Sequence, residues 1–372
     1  MSPGKSESVR RVLIYRLGSL GDTVIALPAL HLVRRAFPDA ERRMLTSFPP
    51  QAKAPASSAV LEGTGLVHGY IRYSYGTRSV GEYAKLWWLL FRWRPDVLVY
   101  MNGERPLSAV RRDTLFFRLC GIRHITGAPV SEAMEYGRMR ALPTKPEEAG
   151  LTLFEPECAR LTRNLAELGP ARLDDPASWD LALTGDEHRR AGDALLPLQS
   201  RSFLVISLGT KNQSNDWGLE NWCALASRLA QLYCNHALVI CGAAVEREMC
   251  DAVAESWRNG SSSPALNLCG ELSPRQSAAV IQRATAFLGH DSGPVHLAAA
   301  VQTPCVAVYG ARNMPGVWFP YGTEHHVLYN QVDCAGCGLE VCTVQQKKCI
   351  LSITVERVIA ALGKIIPPSA RA

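Results

Sequence analysis

The chain has 372 residues, 47% of them apolar and 20% charged, the balance of a folded globular protein long enough for two cores. That excludes a disordered or fibrous chain, and no run approaches the roughly 20 uncharged apolar residues of a membrane span. The net charge of +6 is unevenly spread: residues 1–140 carry 21 Lys and Arg against 11 Asp and Glu, a net +10, and the remainder 19 against 23, a net −4.

A basic half of that size is suited to an anionic partner: nucleic acid, an anionic membrane surface or a phosphorylated substrate. Nucleic acid is disfavoured, because no recognisable module interleaves aromatic and basic residues. Met1 to Ser8 is polar and the apolar run behind it is short, which predicts no secretory signal and a cytoplasmic protein. Twelve cysteines fit thiols in a reducing compartment, most of them single in apolar segments, such as Cys120, Cys241 and Cys305.

In chain order, Val12 to Tyr15 reads as a buried strand and Asp22 to Phe37 as an amphipathic helix ending before Pro38. Strands follow at Arg43 to Thr46, Tyr70 to Tyr73 and Asp96 to Met101, with helices at Val80 to Trp93 and Leu107 to Leu119. From about Gly127 to Leu198 the rhythm fails, leaving one clear helix, Pro156 to Leu168, in what reads as a connection between domains. It then restarts: strand Phe203 to Leu208, helix Glu220 to Tyr233, strand Ala237 to Cys241, helix Glu246 to Trp257, strand Ala265 to Leu268. Helix Pro274 to Ala284, strand Phe287 to Gly289, helix Pro294 to Val301 and strand Cys305 to Tyr309 complete it. Strands separated by helices of this length predict two α/β units with parallel sheets, residues 1–180 and 181–372. A last helix, Thr354 to Ile366, is free to cross back to the first.

Three places carry chemistry. Arg16-Leu17-Gly18-Ser19-Leu20-Gly21-Asp22 joins a strand to a helix, where open α/β sheets bind ligands. It lacks the third glycine of a dinucleotide fingerprint, which disfavours a nicotinamide enzyme. Asp22 falls in the helix's first turn, where it serves equally to complement the positive helix end. Gly289-His290-Asp291-Ser292-Gly293-Pro294-Val295-His296 is a strand, a tight turn and a proline-started helix whose N–H groups make an anion site. Ser292 adds a hydroxyl, and His296 lies one turn in. Gly209-Thr210-Lys211-Asn212 follows a strand too, and its lysine suits a diphosphate, although a solvated loop lysine has the same sequence.

In this order the three sites resemble the ADP-heptose:lipopolysaccharide heptosyltransferases, glycosyltransferase family 9. Ser19-Leu20-Gly21-Asp22 with Ala26-Leu27-Pro28-Ala29-Leu30 is similar to that family's start. Asp291 to Ala300, with Pro304 and Val308-Tyr309-Gly310 behind it, is similar to its later motif, and Gly242 with Glu246 resembles its donor-binding pair. The resemblance implies two facing Rossmann-like domains of the glycosyltransferase B type, with the C-terminal helix crossing back to the first. The acceptor would lie on the N-terminal domain and a nucleotide-sugar donor such as ADP-heptose on the C-terminal one. Asp22 would be the general base, with Ser19, Gly21 and Asn102 on the acceptor side. Lys211 would neutralise the departing diphosphate. Gly209, Thr210, Gly242, Glu246, Asp291, Ser292, Gly293 and His296 would hold the donor. One departure stands out: the family commonly has a lysine two residues before the tryptophan, and here that residue is Asn215.

A carboxylate on one side and a cation with helix N–H donors on the other complement the charge separation of sugar–phosphate cleavage. The chemistry then needs no cofactor and no metal, and a single carboxylate near the acceptor predicts inversion. The acceptor would be an anionic glycolipid or surface glycan, met in transient contact with the cytoplasmic face of the inner membrane. Cys334, Cys337, Cys342 and Cys349 begin like a zinc set but lack two separated Cys-x2-Cys pairs, so packed thiols are expected. Leu86-Trp87-Trp88-Leu89-Leu90-Phe91-Arg92-Trp93-Arg94 suits either core packing or an interfacial helix on anionic lipid. A two-domain sugar-nucleotide epimerase, or a non-catalytic nucleotide-sugar-binding protein, is the alternative reading of the whole chain.

Overall fold

The computed structural model describes residues 9–47, 55–73, 79–129, 131, 141–142 and 151–368; the polar start Met1 to Ser8 lies outside them. Two compact units emerge, Met1–Arg140 with Glu155–Trp179, and Ala141–Phe154 with Asp180–Ala372. The chain therefore passes between them three times, where one passage near residue 180 was expected.

The first unit runs β1 (Arg11–Tyr15), α1 (Leu20–Ile25), α2 (Leu27–Ala36), β2 (Glu41–Ser47), α3 (Ser58–Leu61), β3 (Gly69–Tyr73), α4 (Val80–Trp93), β4 (Val97–Tyr100), α5 (Leu107–Leu119) and β5 (His124–Thr126). The strands stand in the order β3-β2-β1-β4-β5, every pair parallel. Val12, Leu13 and Ile14 are buried on both faces of the sheet, as a strand covered by helices on both sides must be. The single helix expected from Asp22 to Phe37 is two. Pro28 sits in the first turn of α2, and a proline ring collides with the preceding turn of a continuous helix.

The short antiparallel pair β6 (Ala141–Leu142) and β7 (Leu153–Phe154) belongs to the second unit, where the Phe154 N–H donates to the Pro315 carbonyl at 2.8 Å. The chain returns to the first unit with α6 (Glu157–Asn164), then enters the second at α7 (Gly185–Leu195). That helix falls in the stretch read as a connection. Thr184 and Glu187 form a capping box for it, but only Ala191 is fully buried along it, so it carries little apolar signal.

The second sheet holds β8 (Phe203–Ser207), β9 (Ala237–Ile240), β10 (Ala265–Asn267), β11 (Ala286–His290), β12 (Cys305–Tyr309) and β13 (His326–Tyr329). Their order is β10-β9-β8-β11-β12-β13, again parallel throughout. Its helices are α8 (Leu219–Leu232), α9 (Arg247–Gly260), α10 (Pro274–Ile281), α11 (Gly293–Ala300), α12 (Lys348–Leu351) and α13 (Val355–Ile365). The final helix does not cross back. Val358, Ala361 and Leu362 pack in the same core as Leu225, Leu229 and Ile350, and the Tyr233 hydroxyl donates to the Ile366 carbonyl at 3.0 Å. The apolar stripe at i, i+3, i+4 is satisfied within its own unit.

Candidate active site

In the first sheet β1 is joined to β2 on one side and flanked by β4 on the other. The connection after β1 runs to one side of the sheet and that after β4 to the other, the switch in direction at which open α/β sheets bind ligands beyond the carboxyl ends of their strands. The loop after β1 is Arg16 to Ser19. Ser19 caps α1, and Asp22 folds back over the turn: its Oδ2 accepts from the Ser19 N–H at 2.9 Å and from the Ser19 hydroxyl at 3.2 Å. Gly18 lies at φ +144°, and a Cβ there would run into the Asp22 side chain. The glycine is thus the reason the carboxylate can take this position. Asp22 remains 33% exposed while Arg16 beside it is 1% exposed.

Arg16 fixes the loop from beneath. Its guanidinium donates to the carbonyls of Met101 and Asp22 at 2.6 and 2.8 Å and meets Glu157 at 3.3 Å. Arg160 closes the network on Glu157 with two 2.7 Å hydrogen bonds. Burial alone would raise the Glu157 pKa, but Arg160 and Arg16 outweigh it and hold the carboxyl below its usual range. Asn102, expected on the acceptor side, is buried, and its Oδ1 accepts from the Leu17 N–H at 2.7 Å. It shapes the loop from below. Ser19 and Gly21 lie on the loop and first helical turn themselves.

The second sheet has its own switch between β8 and β11. Three strand ends meet there: Gly209-Thr210-Lys211 after β8, Gly242 after β9, and Asp291-Ser292-Gly293 after β11. Glu246 folds over the first two. A Cβ on Gly209 or on Gly242 would strike its carboxylate, and its Oε2 accepts from the Ala243 N–H at 2.9 Å. Burial raises the Glu246 pKa against the effect of that hydrogen bond. Two glycines therefore clear the space in which one acidic side chain lies flat on the sheet end. Lys211 is exposed.

At β11 the Asp291 carboxylate receives Asn215 at 3.1 Å and Asn313 at 3.3 Å. Asn215, at the place where family members carry lysine, is 1% exposed and spends its amide on Asp291. Ser292 caps α11, and its hydroxyl is buried with no hydrogen-bond partner among the described residues. Buried polar atoms are normally satisfied, so an unpaired hydroxyl beside the N–H groups of a helix start suits anion binding. His296 is 4% exposed, its ring edge toward Trp318 with centroids 6.5 Å apart.

The sequence motif assigns His290 no role. It is fully buried, and its Nε2 accepts from the Trp217 N–H at 3.0 Å and from the Trp222 indole N–H at 3.1 Å. Burial lowers its pKa to about 4, so the ring is a neutral acceptor that ties α8 to β11. Asp216 is held below its usual range despite partial burial, by the Gly218 N–H and by Lys347, whose Nζ lies 3.1 Å from Oδ2. Neither the Arg16–Glu157–Arg160 network nor the Asn215–Asp291–Asn313 set was foreseen. A charged residue closing an otherwise apolar strand, as Arg16 does, was the available signal.

The four C-terminal cysteines are free thiols, and among the described residues no three His, Cys, Asp or Glu side chains are gathered as a metal set. Also among the described residues, no helix is long and apolar enough to cross a membrane.

Two parallel α/β sheets, each with polar side chains at the carboxyl ends of its strands where the strand order switches, define a two-Rossmann chain of the glycosyltransferase B kind. Residues 155–348 match the model of glycosyltransferase family 9 (heptosyltransferase), and the chain belongs to that family. It is 26% identical over 340 residues to lipopolysaccharide heptosyltransferase 1 of Pseudomonas aeruginosa, covering 90% of this chain and 88% of that one. The fold is similar to the family 9 glycosyl transferase of Veillonella parvula, at TM-score 0.70 and 17% identity over 98% and 99% of the two chains. It is similar too to Escherichia coli heptosyltransferase WaaC with ADP-2-deoxy-2-fluoro heptose, at TM-score 0.61 and 18% identity over 95% and 99%. The family match favours the transferase reading over the epimerase.

Proposed function

We propose that this chain moves a heptose from a nucleotide-diphosphate donor of the ADP-heptose class to an anionic lipopolysaccharide-type acceptor, by direct displacement with inversion. The observation that carries the reading is Asp22, a partly exposed carboxylate held over Gly18 at the first sheet's switch point. It takes the proton from the acceptor hydroxyl as that oxygen attacks the anomeric carbon. Ser19 and Gly21 border the acceptor, and Asn102 and Arg16 keep the loop in shape. The sugar–phosphate bond breaks, and the diphosphate leaves with the electron pair.

The second unit binds the donor. Glu246 accepts from the ribose hydroxyls. Ser292, the Gly293 N–H and His296 meet the phosphates, with Asp291 held in place by Asn215 and Asn313. Gly209 and Gly242 leave room for the nucleotide, and Thr210 borders it. Lys211 supplies the mobile positive charge against the leaving diphosphate. The acceptor is reached at an anionic membrane surface. Neither a cofactor nor a metal enters this scheme.

The test is turnover with ADP-heptose. Nucleoside diphosphate should appear only when a lipopolysaccharide acceptor lacking its heptose is also present, with heptose recovered on the acceptor. Release of equal size without acceptor, or a rearranged nucleotide sugar, contradicts the reading.

A further inference from the structure

Helices α4 and α5 lie on the same face of the first sheet, where Leu86, Leu90, Trp93, Val110 and Phe117 share its core. Their other side is unusual. Tyr83, Trp87 and Phe91 form a stripe at helical spacing, 43%, 38% and 46% exposed, and Trp88 beside them is 55% exposed. Trp87 stacks on Phe91 with centroids 5.1 Å apart. The stripe continues onto α5: the Trp87 indole N–H donates to the Leu119 carbonyl at 2.9 Å, Tyr83 meets Phe116 edge-on, and Leu115 and Leu119 are 59% and 65% exposed. An apolar surface of this kind on a folded protein marks an interaction site.

Charge identifies the occupant. Arg92 lies over the Trp88 ring at 5.5 Å and Arg94 over Phe91 at 5.9 Å. Lys85, Arg111, Arg112 and Arg118 complete six basic residues on these two helices and the Arg94 cap. The acidic residues there are Glu82 and Asp113, and Asp113 is buried against Arg105 and Arg112. Tryptophan at an apolar–polar boundary beside arginine is the composition that settles in the headgroup layer of an anionic bilayer. Both helices begin at the carboxyl ends of their strands, the end of the sheet that carries Asp22.

We infer that the exposed aromatic–basic face of α4 and α5 docks on an anionic lipid bilayer. It deepens the proposed function, resting on it for a membrane-borne acceptor, and names the face that meets the bilayer; vesicle binding itself needs neither donor nor glycan. Basic side chains near an anionic surface contribute about fivefold each to binding, and the aromatic rings add a component that salt does not screen.

The test is sedimentation of the full chain with vesicles of phosphatidylcholine alone and of phosphatidylcholine mixed with phosphatidylglycerol, in the absence of any glycolipid. Binding should require phosphatidylglycerol and weaken with salt. Replacing both Arg92 and Arg118 by Gln, at exposed positions, should lower it at least tenfold with the unfolding temperature kept. Brominated lipid should quench tryptophan emission, and the quenching should fall in Trp88→Phe. Indifference to lipid charge, binding unaffected by these substitutions, or self-association through this face without vesicle binding overturns the proposal. Loss of sugar transfer with vesicle binding intact would sink the transferase reading alone.

Discussion

At the scale of single residues, the sites depend on side chains folded over glycines. Asp22 over Gly18 and Glu246 over Gly209 and Gly242 are the same device: an acidic group near a helix start takes the space a Cβ would fill. The motifs were legible because these glycines and acids sit at fixed offsets behind strands. Their supports were not, since Asn215 meets Asp291 from 76 positions away and Arg16 meets Glu157 from 141. No local spacing encodes such pairs. Ser292 gives a direct test of the donor assignment. Its hydroxyl makes no hydrogen bond among the described residues, so Ser292→Ala should leave the unfolding temperature unchanged and weaken ADP binding about fivefold, the value of one hydrogen bond. A fall in stability with unaltered ADP affinity would remove Ser292 from the site.

His290 offers a pH signature at the same scale. Its folded pKa is lowered to about 4 from about 6.5 in the unfolded chain. The unfolded state therefore binds the proton first. Stability from this group is complete above about pH 6.5 and declines as pH falls toward 4, by up to about 3 kcal/mol. Its imidazole signals should titrate near pH 4. A midpoint near 6.5 would mean that the ring is not the buried acceptor for Trp217 and Trp222.

At the scale of elements, long periodic segments were read well: the helix over Val80–Trp93, the helix over Leu107–Leu119 and the strand over Cys305–Tyr309 have the expected bounds. The errors have physical causes. Pro28 splits one helix into α1 and α2. The charged α7 offers one buried residue. β13 is only half-buried along its length, too weak a pattern to separate from loop. The last helix was readable as a helix but not in its partner, because an apolar stripe does not say which core it enters. Since Leu362 is fully buried in the second core, Leu362→Ala should destabilise that unit by about 3 kcal/mol. Unfolding of the first unit, followed by a probe confined to it, should be unchanged. A loss confined to the first unit would restore the crossing arrangement.

At the scale of the molecule, the charge split needs correction. Two of the arginines that make residues 1–140 basic are internal: Arg16 and Arg42 are 1% and 3% exposed. Arg42 donates to carbonyls of Phe37, Ala40, Gly65 and Leu66 and serves the fold. Six of the remaining basic residues stand on α4, α5 and the Arg94 cap. An even charge count across a sequence half therefore says less about binding than where the uncompensated cations emerge. The proposed transfer rests on Asp22, a carboxylate that also caps α1 and so has a structural role to fall back on.

Asp22→Asn separates the two roles. The amide oxygen still accepts from the Ser19 N–H, so stability should fall by no more than about 1 kcal/mol, and ADP affinity, proposed to belong to the second unit, should stay within about twofold. The decisive measurement is the single-turnover rate of heptose transfer by Asp22→Asn with donor and acceptor saturating. We expect a fall of two to four orders of magnitude, about the contribution of a positioned general base; a near-normal rate with modestly reduced stability would show Asp22 to be a helix cap and end the proposed mechanism.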